Sequence, residues 1–298
     1  MDFIRSSLLK DHVMATEVWK KDLPTSALSH LIITMDGNML VDELTLAEAL
    51  AFINKIEVTR SGVTVVALES EDLYGADCYL YRNRPVFTQK AYGANLLATL
   101  SLIVPFGRKI YDPNECYPAT KKGDLTLTVD TTLPVTTLEN AELNIETIEL
   151  PGANPRRHLK CSPMPVSAPG KLGDNDIELP IGNDIVCIQV RMTTMADIVN
   201  NTFGVNGVSI LVENKQFGYS YARAQCLIGD MINLLETQHG TIAAQGTVQP
   251  ANIVYVDYDP VRNDELLLHT AGKSSVKIRL DMGVDEVTNL TLMELVNC

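Results

Sequence analysis

The chain is short of everything that usually announces covalent chemistry. Its six cysteines, Cys78, Cys116, Cys161, Cys187, Cys226 and Cys298, lie far apart and form no Cys-x-x-Cys pair. Neither a zinc site nor a disulfide framework is expected, and free thiols are the reading. His12, His30, His158, His239 and His269 stand alone, with no His-x-x-x-His or His-Glu pairing. A Gly-x-Ser-x-Gly elbow and a Walker loop are both absent, and Pro169-Gly170-Lys171 lacks the flanking residues a phosphate loop needs. No catalytic, cofactor-binding or metal-ligating set is assigned, and no cofactor is expected. Basic charge is scarce too: 24 Lys and Arg against 37 Asp and Glu leave a net charge of −13. Direct nucleic-acid contact needs clustered cations, so it is not expected. The longest apolar run, residues 96–106, is broken by Thr99, Ser101 and Pro105 and is too short to span a bilayer. The N-terminus lacks the apolar core and cleavage site of a signal peptide.

What is present is core-forming material. Hydrophobic residues make up 46% of 298 and charged residues 20%, enough to bury one large or two ordinary cores. Residues 252–294 read as short strands with one buried face: Ile253–Val256, then a turn at Asp257, Asp259, Pro260, Asn263 and Asp264, then Val276, Ile278 and Leu280, then Leu290 and Leu292. Residues 101–150 have the same layout. Leu102–Val104 precedes an Asp112-Pro113 turn, Leu125, Leu127 and Val129 answer to Val276, Ile278 and Leu280, and Leu143, Ile145 and Ile148 close the copy. The chain therefore reads as one β-domain written twice.

Around these copies the expectations are as follows. Residues 1–23 form a helical arm, with Phe3, Ile4, Leu8, Ala15, Val18 and Trp19 on one face, docked on its own domain or meeting a membrane or another subunit. Thr45 and Glu48 form a capping box for a helix over 46–55. Residues 56–68 form a hairpin turned at Ser61-Gly62, and 69–77 a polar connector. Residues 91–100 fit helix or strand equally. Residues 151–176, with five prolines, form an extended linker bearing the basic cluster Arg156, Arg157 and Lys160. In the second copy 185–190 is a buried strand, Gly204–Gly207 a turn that parallels Ser61-Gly62, and 222–238 a helix.

IEVTRSGVTVVALESEDLY, with its Glu71-Asp72-Leu73 step, resembles the C–D hairpin of double jelly-roll major capsid proteins of the adenovirus-like lineage of icosahedral viruses. The closing strands KGDLTLTVDTT with AELNIETIEL, and KSSVKIRLDMG with TNLTLMEL, are similar to the family's too. The resemblance covers residues 28–298 as an order of elements rather than a fixed motif. It implies two tandem eight-stranded jelly rolls with a few short helices, at 24–150 and 177–298. It also implies a structural role: homotrimeric, pseudo-hexagonal capsomers in a virion shell, formed in host cytoplasm. Neighbouring capsomers, minor capsid or vertex proteins and an internal lipid membrane would be the partners. On that reading Phe3, Ile4, Arg5, Leu8 and Lys10 are an inward arm, facing membrane or subunit.

Two other classes stay open. A double jelly-roll glycan amidase would line a cleft with acids and aromatics, but the chain holds one Trp and 6% aromatic residues. A tandem carbohydrate-binding module would want exposed aromatic platforms, for which Tyr74, Tyr79 and Tyr81 are the candidates. Asp257, Asp259, Asp264 and Glu265 could hold a hard cation. The weightier reading is a turn whose carboxylates cap their own backbone, since no Gly-bearing calcium loop is present.

Overall fold

The computed structural model describes residues 2–40, 44–82, 85–89, 96–133, 137–164, 172–192, 204–217, 219–234, 252–285 and 288–298. These divide into two compact units: Met1–Ser162 with Asn297–Cys298, and Pro163–Val296. In chain order the first unit holds β1 (Ile4–Val13), β2 (Glu17–Asp22), β3 (Leu28–Met39), α1 (Leu46–Leu50), β4 (Ile53–Arg60), β5 (Val63–Glu69) and α2 (Ser70–Tyr81). It continues with β6 (Val86–Gln89), β7 (Leu97–Pro105), β8 (Leu125–Thr131) and β9 (Leu138–Glu149), and β10 (Arg157–Met164) carries the chain across the division.

One antiparallel sheet of the first unit runs β1-β9-β3-β7-β6, and the other runs β2-β8-β4-β5. Setting aside the short β6, these are strands 1-8-3-6 and 2-7-4-5 of eight, which is the winding of a jelly roll. Alternation builds its core: Leu31, Ile33 and Met35 on β3, Leu100, Leu102 and Val104 on β7, and Leu125, Leu127 and Val129 on β8 are all buried. Each such side chain contributes about 2 kcal/mol by leaving water.

The second unit holds β11 (Gly173–Glu178), β12 (Asp184–Met192), β13 (Val205–Val212), β14 (Lys215–Gln216), β15 (Ala222–Arg223) and α3 (Ala224–Leu234). After it come β16 (Ile253–Asp257), β17 (Leu268–His269), β18 (Val276–Met282) and β19 (Thr288–Asn297). Its sheets run β16-β12-β19, with β17 beside β12, and β11-β18-β13-β14, with β15 beside β13. With β10 first in chain order and β14 and β15 sharing fifth place, the winding repeats that of the first unit. Val276, Ile278 and Leu280 on β18 and Leu290 and Leu292 on β19 enter one core cluster with Ile185, Ile188 and Val190 of β12. Helices α2 and α3 occupy the same place in the two rolls, between strands five and six.

Several expectations are corrected. The described residues 2–23 of the expected helical arm form no helix: β1 and β2 are the first two strands of the first roll. β1 pairs with β9 from Ile4 opposite Glu149 to Val13 opposite Glu142, and β2 pairs with β8. Two bulges in β1, between Ser7 and Leu9 and between Leu9 and His12, shift its alternation, so that Ile4, Leu8 and Leu9 mimic helical spacing. Asp11, at φ 49°, sits in the second bulge and donates its N–H to Asn144 Oδ1 at 2.8 Å. Residues 70–81 are a helix, not a connector, and ten of its residues are buried, so no amphipathic stripe marks it. The hairpin β4–β5 fills positions four and five, whereas a C–D assignment in the B-to-I lettering puts it at two and three. Its counterpart in the second roll is the Glu213-Asn214 turn, at φ 52° and 63°, since 205–207 already belong to β13. Within 151–176 the chain is not all linker: β10 and most of β11 are strands, and Pro163 sits exposed in β10.

The capping box is present. Glu48 N–H donates to Thr45 Oγ1 at 3.2 Å and Thr45 N–H donates to Glu48 Oε2 at 2.8 Å, although α1 is only five residues long. Of the ambiguous stretch 91–100, residues 97–100 open strand β7, while 90–95 lie outside the described residues, as do Pro165, Pro169-Gly170-Lys171, Leu235, His239 and the loop 240–250.

Candidate assembly surface

The five residues singled out at the N-terminus lie on or beside an edge strand. Phe3, Ile4, Arg5 and Lys10 are exposed and Leu8 is half-buried. The Arg5 guanidinium donates to Glu146 of β9, with Nε 3.0 Å from Oε2 and the terminal nitrogen on the same oxygen. That bond and that charge push the Arg5 pKa up still further. Lys10 reaches Asp11 at 3.8 Å. Lys21 of β2 donates to the Leu8 carbonyl at 2.8 Å, blunting the open edge.

Sequence reading missed what Phe3 packs against. Its ring meets Tyr111 edge-on at 5.3 Å, and Tyr111 meets His30 in the same way at 5.3 Å. Tyr111 has a φ of 63°, a left-handed conformation that bulky L residues rarely adopt. It is held there by its N–H, which donates to the buried Ser29 Oγ at 2.7 Å. Phe3, Tyr111, Pro113 and Leu150 line a shallow cleft of about 290 Å³. Ser29 Oγ lies 2.9 Å from His30 Nδ1, and burial, then the Arg5 charge, lowers the His30 pKa to about 4.

Behind this surface a buried ionic cluster fixes the loop after β7. Arg108 donates to both oxygens of Glu115, with Nε 2.9 Å from Oε1 and a terminal nitrogen 2.6 Å from Oε2, and Arg157 Nε adds 3.1 Å. Burial alone would push the Glu115 carboxyl up, but the Arg108 bonds and both guanidinium charges outweigh it and hold the pKa low. Gly107 makes the fold-back feasible, because a Cβ there would lie 2.1 Å from the Glu115 carbonyl oxygen. Of the basic cluster, then, Arg157 is committed to Glu115. His158 lies edge-on to Tyr117 at 4.8 Å with Nδ1 3.5 Å from Cys298 Sγ, and burial, then Arg60 and Lys160, lowers its pKa to about 4.

Three side chains of the acidic turn, Asp257, Asp259 and Asn263, accept from its own backbone. Asp259 N–H donates to Asp257 Oδ1 at 2.7 Å, Asp264 N–H to Asp259 Oδ1 at 3.3 Å, and Glu265 N–H to Asn263 Oδ1 at 3.2 Å. Among the described residues no group of three or more His, Cys, Asp or Glu is arranged to hold a metal ion. Two histidines that look isolated in sequence are paired: His12 with Glu17 at 2.6 Å and His269 with Asp184 at 2.7 Å. None of the six cysteines is joined in a disulfide. Tyr74 and Tyr79 are buried in α2 and offer no platform. On the same helix Asp77 Oδ2 accepts from Ile103 N–H at 2.7 Å, where β7 runs on past the end of β6, and Oδ1 has no partner among the described residues. Burial pushes the Asp77 pKa well above the carboxylate range, and the Ile103 N–H offsets only part of this.

No family model matches the chain, and no curated protein matches it. Solved structures do. The major capsid protein of Sulfolobus turreted icosahedral virus aligns over 99% of this chain and 96% of its own, with a TM-score of 0.74 at 11% identity. The major capsid protein P2 of bacteriophage PM2 aligns over 99% and 97%, with a TM-score of 0.68 at 12% identity. A peptide-N(4)-(N-acetyl-β-D-glucosaminyl)asparagine amidase reaches a TM-score of 0.35 at 9% identity, too loose a likeness to argue from. From end to end, the chain has the double jelly-roll fold found in these viral major capsid proteins.

Proposed function

We propose that the protein is a major capsid protein, a structural subunit that associates with copies of itself to form the shell of an icosahedral virion. The observation that carries this is the length of the likeness. The likeness covers 99% of this chain and 96–97% of two capsid proteins, which leaves little of either unaligned. The active-site alternatives find less support, since Asp257 and Asp259 of the acidic turn accept from its own backbone and two of the three tyrosine candidates are buried.

On this reading the capsomer is a homotrimer, with minor or vertex proteins and an internal membrane as further partners and assembly in host cytoplasm. The net charge of −13 suits a shell that leaves the genome untouched. Of the two partners considered for the N-terminal strand, a subunit is favoured over a membrane, because Arg5 is already neutralised by Glu146. Size-exclusion chromatography with light scattering tests the proposal. Three copies per particle are expected, joined by interfaces of about 2,000 Å² or more. A strict monomer at micromolar concentration across several salt conditions removes the capsid reading.

A further inference from the structure

The outer face of one sheet in the second unit holds an aromatic ring in the open. β18 runs between β11 and β13, with Asp281 opposite both Asp174 and Gly207, and Arg279 opposite both Asp176 and Ser209. Val276, Ile278 and Leu280 take the core face of β18, so Arg279 and Asp281 take the other. On β13 the place beside Asp281 is a glycine, and the Tyr221 ring fills it: a Cβ on Gly207 would lie 2.5 Å from Tyr221 Cζ. The Tyr221 hydroxyl donates to Asp281 Oδ2 at 2.8 Å. Ser209 Oγ donates to the Ser220 carbonyl at 2.9 Å just before the tyrosine, and Ala222 and Arg223 pair with β13 just after it. The ring is thereby held at its hydroxyl and at both backbone flanks, yet Tyr221 stays 51% exposed.

Hydrogen-bonding groups stand on both sides of this ring. Asp174 and Asp281 face each other across the ladder, a like-charge pairing that costs stability. Arg279 reaches Asp174 at 3.6 Å but makes its closer contacts with Asp176, at 2.5 and 2.9 Å. On the far side Arg223, opposite Gly207, is exposed and carries no ion pair among the described residues. The bond to Asp281, burial and the charges of Asp281 and Asp174 raise the Tyr221 pKa against the opposing charge of Arg223, so all three charged groups are felt at the ring.

We infer that Tyr221 is a stacking platform for a carbohydrate, with Asp174 and Asp281 on one flank and Arg223 on the other to bind its hydroxyls. The C–H face of a pyranose packs on the ring, while sugar hydroxyls donate to the carboxylates and accept from the guanidinium. A bare cation fits less well, because Arg223 flanks the ring and Arg279 flanks Asp174. The site goes beyond the capsid reading and does not depend on it, since a single subunit or a shell can bind a sugar.

Saturation-transfer NMR of the full chain with maltohexaose, mannohexaose and chitohexaose tests the inference. At least one is expected to receive saturation at its ring C–H positions, and calorimetric titration of that sugar then gives the wild-type Kd. Tyr221→Ala should weaken binding about tenfold or more, because the stacked face is lost. Asp174→Asn leaves the ring alone and should weaken binding several-fold, since a charged acceptor becomes a neutral one. Phe217→Ala removes another ring, 55% exposed, and should leave the Kd unchanged. Circular dichroism checks that each variant is folded. Transfer to none of the three sugars at millimolar concentration overturns the inference, as does a Tyr221→Ala chain that binds like the wild type. Binding of tetramethylammonium in place of the sugars, lost in Tyr221→Ala, also overturns it and assigns the ring to cations. Light scattering on the same samples reads the oligomeric state, so failure of the capsid reading is seen separately.

Discussion

A carboxyl with one oxygen on the Ile103 amide and the other unpartnered has a pH dependence that can be read in advance. Asp77 titrates higher in the folded chain than in the unfolded one, so its contribution is fully present below the ordinary carboxylate pKa and is lost as pH rises through the raised folded value. Asp77→Asn copies the neutral acid and should remove that loss. His30 and His158 act at the other end of the scale. Both stay neutral when folded, down to about 4, so they cost stability as pH falls from 6.5 towards that value. Thermal midpoints between pH 4 and 9 check both signs. A wild-type curve as flat as that of Asp77→Asn above pH 5 would show that the buried acid is not felt. Nothing around Asp77 in the sequence marks it out, because its consequence comes from Ile103, a residue on another strand.

At the scale of elements, β1 and β2 carry the sharpest consequence. They supply strands one and two of the first roll, one to each sheet, so the N-terminal segment is not a detachable arm. Deleting residues 1–22 removes the Arg5–Glu146 pair and uncovers the flanks of β8 and β9, and Met14, buried at 2% exposure, goes with it. The deletion is expected to unfold the first unit, read as lost near-ultraviolet dichroism and a lowered midpoint; a truncated chain as stable as the full one refutes the strand assignment. The last three strands of each roll were legible because their alternation is clean: Leu125, Leu127 and Val129 match Val276, Ile278 and Leu280 in register and burial. The first strands were not, because bulges reset the phase of β1 and charge dominates exposed β2. Helix α2 was hidden for the opposite reason, since burial all round leaves no polar face to contrast with an apolar one. The surface around Tyr111 was invisible because a left-handed backbone at a tyrosine leaves no mark in composition.

At the scale of the whole molecule, the winding that closes each roll also dictates when it can close. Arg5 finds Glu146 141 positions further along, and β1 finds no neighbour other than β9 among the described strands. A ribosome adding about 5–20 residues per second makes β1 many seconds before its partner exists. During that wait the exposed apolar side chains of Ile4 and Val13 belong to an unpaired strand, and long-range pairing of this kind is slow in any case. Nascent chains ending near residue 137, just before β9, should therefore remain protease-sensitive at the N-terminus, and chains extended beyond about 150 should become resistant. Resistance in the shorter chains would mean that β1 finds a home without β9. The bulges and the Lys21 cap on Leu8 take on a second meaning here: they protect an early-made strand from pairing with the same strand on a neighbouring ribosome.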